Sequence, residues 1–465
     1  MADLIAASVV VPHRENRGVL EVFWVKRSHK LAFLPGFWAF PGGRVDPEDA
    51  HVVVEGASGE RAARIAAAAR ELREETGLSL PVRGPTFAEL GRTVTPDWAP
   101  IRFDATYYLA EVPAGAVLDP AGASGGELID GEWITPAAAL EAYTNGSRLT
   151  SPVVAFFLRG LVDGVAGADV RSAQAAAQEV DAPQLWELAP GVANAALRTP
   201  TLPPATHTNC YVIGGRELIV IDPASPWDEE RAVLDRALDA LAARGRRVRE
   251  IWLTHHHVDH VSGAAYLAKR LGVPVAAHPA TASLVAGRVD VARTLDDGHV
   301  EVLPGDGADI PERRLRCVFT PGHAPGHHCF LEETTGYLIA GDMVAGIGSI
   351  IIDPDEGDMG DYLASLARMA ALAPSALLPA HGNTITDPQG KIAEYVKHRL
   401  WREHLVFAAL AARGRATALE LVPAVYADTP AHLHPLAARS LLAHLQKLVK
   451  DGRARETGNG VFEVL

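Results

Sequence analysis

The stretch that most restricts how this chain can fold is Thr254-His255-His256-His257-Val258-Asp259-His260. Five of its seven residues carry side chains able to hold a metal, and both flanks read as ordinary core. Upstream, Glu250-Ile251-Trp252-Leu253-Thr254 has the β-branched and aromatic bias of a strand. Downstream, Ser262 to Leu271 reads as a helix with Ser262 in the N-cap place. Four histidines and an aspartate at a strand end are poor core material, because each buried polar group needs a partner. Residues two apart do not face each other on a helix, so His255 and His257 converge only in an irregular turn. The competing reading is a His-rich surface loop, and it weakens as further donors appear downstream.

Those donors each follow a strand-like run, which is how a rigid sheet presents side chains at one rim. Arg316 to Thr320 runs into Pro321-Gly322-His323, Tyr337 to Ala340 into Gly341-Asp342, and Ala376 to Pro379 into Ala380-His381-Gly382. One histidine at a strand end is usually structural; the conjunction is specific. H-x-H-x-D-H followed by Gly-His, Gly-Asp and Ala-His-Gly, over residues 185–390, resembles the metallo-β-lactamase fold. The resemblance implies that His255, His257 and His323 hold one metal, that Asp259, His260 and His381 hold a second, and that Asp342 bridges them. Imidazole and carboxylate donors suit Zn²⁺, with Mn²⁺ or Fe²⁺ as alternatives. Such a pair of cations makes water nucleophilic near neutral pH and polarises the scissile group. Asp259 is then the residue that orients the water or hands a proton to the leaving group. Asp222 resembles the family's buried aspartate that props the ligand loop. His256 is expected to point away, His327 has a substrate-touching and a structural reading of equal standing, and the patternless loop from Gly346 to Asp361 is placed to shape the pocket.

A second acidic constellation lies far upstream. Ile5 to Val11 and Val19 to Val25 read as strands, and Arg61 to Leu78 as a helix ending at Gly77. Glu71, Glu74 and Glu75 stand at i, i+3 and i+4, so they share one face and repel unless a cation or a basic partner neutralises them. Such a face can bind Mg²⁺ or Mn²⁺ with diphosphate filling the remaining positions. Arg70-Glu71-Leu72-Arg73-Glu74-Glu75-Thr76-Gly77-Leu78, with Phe40-Pro41-Gly42-Gly43 before it, resembles the Nudix box. The resemblance implies that Glu74 and Glu75 are metal ligands and that Glu71 is a ligand or the catalytic base. The chain departs from the pattern in having Asp49 where the family has Glu, and twenty residues between Asp49 and Arg70. That insertion, with Arg27-Ser28 and the Phe33-Leu34-Pro35-Gly36 turn, resembles the Nudix subgroup that cleaves coenzyme A and its acyl esters. The competing reading is a Nudix fold whose acidic face is merely solvated.

With 465 residues the chain exceeds one core. The reading is an α/β multidomain protein: a Nudix α/β/α sandwich at 1–165, a linker at 166–184 that is partly helical, a metallo-β-lactamase αββα sandwich at 185–390, and a small winged helix at 391–465. Three helical patterns, Lys391 to Ala411, Thr417 to Tyr426 and Pro435 to Lys450, with a hairpin from Arg453, carry the last assignment. His398-Arg399, Arg402-Glu403 and Leu442 to Leu448 resemble the β-lactamase-like protein 2 group, which includes an endoribonuclease acting on single-stranded RNA. The net charge of −14 argues against a nucleic-acid-coating protein, but it is uneven. Residues 1–165 carry 15 basic against 21 acidic side chains, residues 166–390 carry 17 against 29, and the tail 11 against 7. Three cysteines without a C-x-x-C pair fit a reducing cytoplasm, and no apolar run reaches membrane-spanning length. The expectation is therefore a metal-dependent hydrolase. Phosphodiester cleavage of single-stranded RNA leads, a thioester or ester of coenzyme A or glutathione type follows, and a binding or scaffold protein with decayed sites trails. The partners expected are a small diphosphate or thioester, or single-stranded RNA, and no membrane; a homodimer is left open.

Overall fold

A computed structural model describes residues 4–31, 33–95, 102–162, 185–307 and 309–465. The expected linker at 166–184 lies outside the described residues. No described helix is long and apolar enough to cross a membrane. The chain forms two compact units, residues 1–193 with 235–240, and residues 194–234 with 241–465.

The first unit is built on a mixed sheet in the order Trp38–Ala39, Val19–Arg27, Leu4–Asn16, Arg102–Glu111 and Ala88–Val94. Its central pair, Leu4–Asn16 and Arg102–Glu111, is parallel. Successive side chains of a strand point to opposite faces, and the core follows that rule. Val10 packs with Ile65 and Leu72 of helix Gly59–Thr76. Its neighbour Val11 packs with Phe157 and Leu158 of helix Pro152–Val162 on the other face. Helix Gly59–Thr76 stops where expected, because Gly77 at φ 75° takes the left-handed conformation that a side chain resists.

The second unit stacks two sheets. One runs Val291–Thr294, Val275–Ala277, Arg247–Trp252, Glu217–Ile221, His207–Gly214, Val192–Arg198. The other runs Val300–Leu303, Arg313–Phe319, His328–Glu332, Tyr337–Gly341, Ala376–Pro379. Trp252 of the first meets Phe330 of the second with ring centroids 5.1 Å apart. Helix Ala264–Leu271 packs against strand Arg247–Trp252 on the outside of the first sheet. Tyr362, Leu366 and Met369 of helix Met359–Ala371 pack on Leu338 and Leu377 of the second. The αββα layering expected from the sequence is present.

One local expectation fails. Ser262 does not cap the helix after the motif: its hydroxyl donates back to the carbonyl of Val258, closing a separate turn at Val258–Val261. The next helix, Ala264–Leu271, has Gly263 at its N-cap. Hydroxyl back-bonding of this kind competes with capping.

The tail contains helices Pro388–Arg413, Ala418–Val425 and His434–Lys450 and a sheet in the order Arg415–Thr417, Val461–Val464, Ala454–Gly458. Leu421, Leu441, Leu445 and Phe462 fill its core, and Thr417 with Glu420 forms a reciprocal capping box. This is a winged helix. The three-residue strand Arg415–Thr417 is an addition to the expected hairpin.

Candidate functional site

All seven central candidates come from loops that leave sheet strands at one rim. His255 and His257 follow Arg247–Trp252, with Asp259 and His260 in the short turn of helix behind them. His323 follows Arg313–Phe319, Asp342 follows Tyr337–Gly341 and His381 follows Ala376–Pro379. The seven fall into two groups. His257 Nδ1 lies 2.9 Å from His255 Nε2 and 3.0 Å from His323 Nε2. On the other side, His381 Nε2 lies 3.5 Å from Asp259 Oδ2. Asp342 stands between them: Oδ2 is 3.5 Å from His323 Nε2, while Oδ1 is 3.5 Å from His260 Nε2 and 3.4 Å from His381 Nε2. The sets His255–His257–His323–Asp342 and Asp259–His260–His381 each offer donor atoms close enough for one ion.

The donor chemistry fits cations at both places. His260 Nε2 and Asp342 Oδ1 are buried and have no protein hydrogen-bond partner, although buried polar atoms are normally satisfied. Burial, reinforced by the neighbouring His260, holds His255 neutral, far below the usual histidine range, and burial pushes His323 down to about 4. Burial works to raise the Asp342 carboxyl, but His260 and His381 hold it well below the carboxylate range. His255 and His323 are thus neutral, the state in which an imidazole ligates. At His260 and His381 burial is outweighed by Asp342, which holds both above the usual histidine range, so a cation bound there would displace their protons.

The second nitrogen of each histidine is engaged by the protein, which fixes ring orientation and tautomer. His323 Nδ1 donates to the Ile351 carbonyl and His381 Nδ1 to the His207 carbonyl, both at 2.9 Å. His260 Nδ1 donates to Asp222 Oδ2 at 2.8 Å. His255 Nδ1 lies 2.9 Å from Thr254 Oγ1, which itself donates to Asp222 Oδ2 at 2.6 Å. Asp222 also accepts the Thr254 N–H, so one buried carboxylate props the whole ligand loop, as the sequence resemblance implied. It does so from φ 51°, a backbone state non-glycine residues rarely adopt.

Three further residues surround the donor sets. His256 turns away from the donor sets, with Nε2 2.8 Å from Glu356 Oε2. His327 takes the structural of its two readings: fully buried, it lies 2.9 Å from Thr320 Oγ1 and accepts the Asp342 N–H through Nε2, so it helps to aim Asp342. Glu356 was not singled out in the sequence. Its Oε1 lies 2.6 Å from His257 Nε2, and these hydrogen bonds, from His256 foremost, hold its carboxyl below the usual range. The only available signal was its place in the loop from Gly346 to Asp361.

The first unit arranges its acids differently. Among the described residues the tight donor clusters all lie in the second unit, and Glu71, Glu74 and Glu75 do not form one. Arg70 is the basic partner that their spacing called for. Its Nη1 donates to Glu71 Oε1 at 2.8 Å and to Glu74 Oε2 at 3.2 Å, and its other nitrogens grip Asp49 at 3.2 and 3.0 Å. Asp49 thus reaches the box arginine across the twenty residues that separate them, buried in the short helix Pro47–His51. Glu75 faces inward and accepts the Gly42 N–H at 2.7 Å; burial, with the neighbouring Glu71, raises its pKa to about 8. Gly43 leaves room for Glu71, since a Cβ there would stand 2.3 Å from its Oε1. The acids that would hold a divalent cation are therefore gathered at one end of the helix with an arginine among them.

Comparison with known proteins follows the same partition. The metallo-beta-lactamase superfamily profile matches residues 203–381, the beta-lactamase associated winged helix profile 417–461 and the NUDIX profile 3–153. The lactamase-like protein aptB of Emericella nidulans is 32% identical over 259 residues, 52% of this chain and 76% of that protein. The beta-lactamase-like protein 2 homolog of Drosophila melanogaster is 30% identical over 261 residues, 53% of this chain and 84% of that protein. A beta-lactamase domain protein from Burkholderia ambifaria shares the fold, with a TM-score of 0.51 at 24% identity over 60% of this chain and 92% of that one. Both catalytic folds are hydrolase folds that work with metals, and the chain belongs to the metallo-beta-lactamase superfamily, with its associated winged helix behind the hydrolase and a NUDIX domain in front of it.

Proposed function

We propose that the second unit is a dinuclear metal-dependent hydrolase of a small acyl ester or thioester, and that the first is a Mg²⁺- or Mn²⁺-dependent diphosphohydrolase of a coenzyme A-like or nucleotide diphosphate. The observation that carries the first half is Asp342, whose two oxygens face two separate donor groups. His255, His257 and His323 hold one cation, Asp259, His260 and His381 the other, and zinc suits the donor set. Bound there, the pair supplies an activated water and Lewis acidity toward the scissile carbonyl. The protein supplies the rest. Asp222, Thr254 and Glu356 lock the imidazoles. Asp259, half-buried beside His381, orients the attacking water and passes its proton toward the leaving thiolate or alkoxide.

The tail weighs for a small substrate over single-stranded RNA. Most of its cations are paired with acids, among them Arg402 with Asp428, Lys447 and Arg453 with Glu403, and Arg415 and Arg455 with Glu463. Phosphate tracking needs unpaired positive side chains along a groove. Of the two aromatics beyond the first tail helix, Phe462 is core and Tyr426 lies under the Arg402 guanidinium at 4.3 Å, so neither is offered to a base. The insertion between Asp49 and Arg70 and the Phe33-Leu34-Pro35-Gly36 turn support a coenzyme A-like substrate for the first unit, which would place both sites on one metabolite pool.

The test incubates the full chain with acyl-coenzyme A and, separately, with labelled single-stranded RNA, each with and without chelator. Chelator-sensitive thiol release that His257→Ala abolishes is the expected result. RNA cutting with the same sensitivities would replace the thioester reading with the nuclease one, and neither activity would sink both.

A further inference from the structure

We propose that Glu356 is a positioning residue for the His257 ligand and that the winged helix holds it in place, so that one face of the metal centre is assembled by the tail. The proposal rests on the ligand assignment given above for His255, His257 and His323.

His257 is the ring on which that donor group turns. Its Nδ1 is within 3.0 Å of both other histidines, and its Nε2 meets Glu356 Oε1 at 2.6 Å. An imidazole can direct a lone pair from Nδ1 only if the proton sits on Nε2, and a carboxylate at Nε2 enforces that tautomer. Glu356 also occupies His256 Nε2 at 2.8 Å, which keeps the neighbouring ring out of the donor set. A single side chain thus decides which of two adjacent histidines ligates.

Glu356 lies on a turn with few bonds of its own. Gly357 N–H donates to the Asp353 carbonyl at 2.6 Å, and Asp358 N–H reaches the Gly322 carbonyl at 2.8 Å. The Asp355 and Glu356 N–H groups also bond to Asp353, and Ile350 and Ile352 are buried in the core beneath the second sheet; further anchors come from the tail. Arg439 of helix His434–Lys450 pairs with Asp353, its Nε 2.7 Å from Oδ2, and with Asp355 at 2.6 Å. Lys450 pairs with Asp358, and Arg399 of helix Pro388–Arg413 donates to the Ile350 carbonyl. The next carbonyl, Ile351, holds His323 Nδ1. Two of the three histidines of one donor group therefore take their orientation from residues 351 and 356, and the stretch 350–358 that carries them is gripped by the tail at 350, 353, 355 and 358. Half-exposed ion pairs contribute little to stability. Their consequence here is geometric, because a turn displaced by an ångström takes Glu356 out of hydrogen-bond reach.

The full chain, loaded with zinc, is dialysed against graded EDTA, and zinc per chain is measured by elemental analysis for wild type and variants. Glu356→Ala is expected to lose one of its two zinc ions at a chelator concentration lower by about tenfold or more, while the second leaves at the wild-type concentration. Arg439→Glu is expected to shift the same step in the same direction by a smaller factor, and Arg439→Lys to restore it. Glu356→Gln, nearly isosteric, carries the test if circular dichroism shows that Glu356→Ala does not fold. Both zinc ions leaving Glu356→Ala and Glu356→Gln at wild-type concentrations would overturn the proposal. So would equal loosening of both steps, which a general structural role predicts. Wild type with two zinc ions that His257→Ala retains in full would instead overturn the ligand assignment, and this inference with it.

Discussion

The two catalytic regions solve one problem, holding like-charged or proton-competing donors together, in opposite ways. In the second unit every candidate imidazole ligand has its far nitrogen engaged by a carbonyl, a carboxylate or a hydroxyl, and its near nitrogen faces the other donors. In the first unit the near atoms themselves are engaged: Arg70 bonds Glu71 and Glu74, and the Gly42 N–H bonds Glu75. One set is organised before its cation arrives. The other is organised around an internal cation, Arg70, which a divalent ion bound among those acids would have to displace in part. Transition-metal chemistry with fixed geometry suits the former; Mg²⁺, which arrives with substrate phosphates and keeps several waters, suits the latter.

The contrast is broken most severely by removing a bridging or triad donor. Asp342→Ala or His257→Ala should lower hydrolysis at the second unit by about a thousandfold or more, measured as thiol release. Diphosphate cleavage by the first unit should be unchanged in the same preparation. Glu74→Gln is the converse arm: Mg²⁺-dependent diphosphate cleavage should fall to background with thiol release intact, and cleavage that persists would show that the first unit is not a Nudix enzyme. An intermediate effect is expected from Asp222→Asn, which keeps the shape but loses the charge that His260 and Thr254 share. Zinc affinity should fall by about 10- to 100-fold, read by chelator competition; an unchanged affinity would remove Asp222 from the supporting shell.

An effect on stability, with neither site's activity involved, separates the tail from both sites. His444 is buried in the winged helix, and burial, with Arg399 and Lys447 adding, lowers its pKa to about 3. The unfolded chain binds this proton below about pH 6.5 while the folded one does not. The contribution is therefore fully present above about pH 6.5 and is lost as pH falls toward 3, at on the order of 1.4 kcal/mol per pH unit. His444→Leu should flatten the pH dependence of the denaturation midpoint in that window, and parallel curves for the two proteins would refute it.

Much of the central site was legible because strand ends announce themselves. His323, Asp342 and His381 each follow an apolar run that the sheet turns into a rim, so periodicity and donor type marked them as candidates and the metallo-β-lactamase resemblance implied their grouping. Asp222, also at a strand end, was legible through the family resemblance. Glu356 was not: it lies in a turn about one hundred residues from His257, with no period and no strand before it, and its meaning arises only when Arg439 and Lys450 fold back on that turn. Arg70 illustrates a different limit. Helical spacing put three glutamates on one face, and Arg70 stands at i, i+4 to Glu74, yet its reach across the insertion to Asp49 depends on the short helix Pro47–His51. Ser262 shows the ambiguity of a hydroxyl near a helix start, which can cap the next helix or close the previous turn.

The central claim is that one rim of the second unit is a two-cation centre divided by Asp342. Elemental analysis of the purified full chain, exchanged into metal-free buffer after loading with zinc, tests it directly. About two zinc ions per chain are expected for wild type and about one for His381→Ala, which leaves the three-histidine group whole. A wild-type chain that holds none, or a His381→Ala chain that still holds two, would contradict the account.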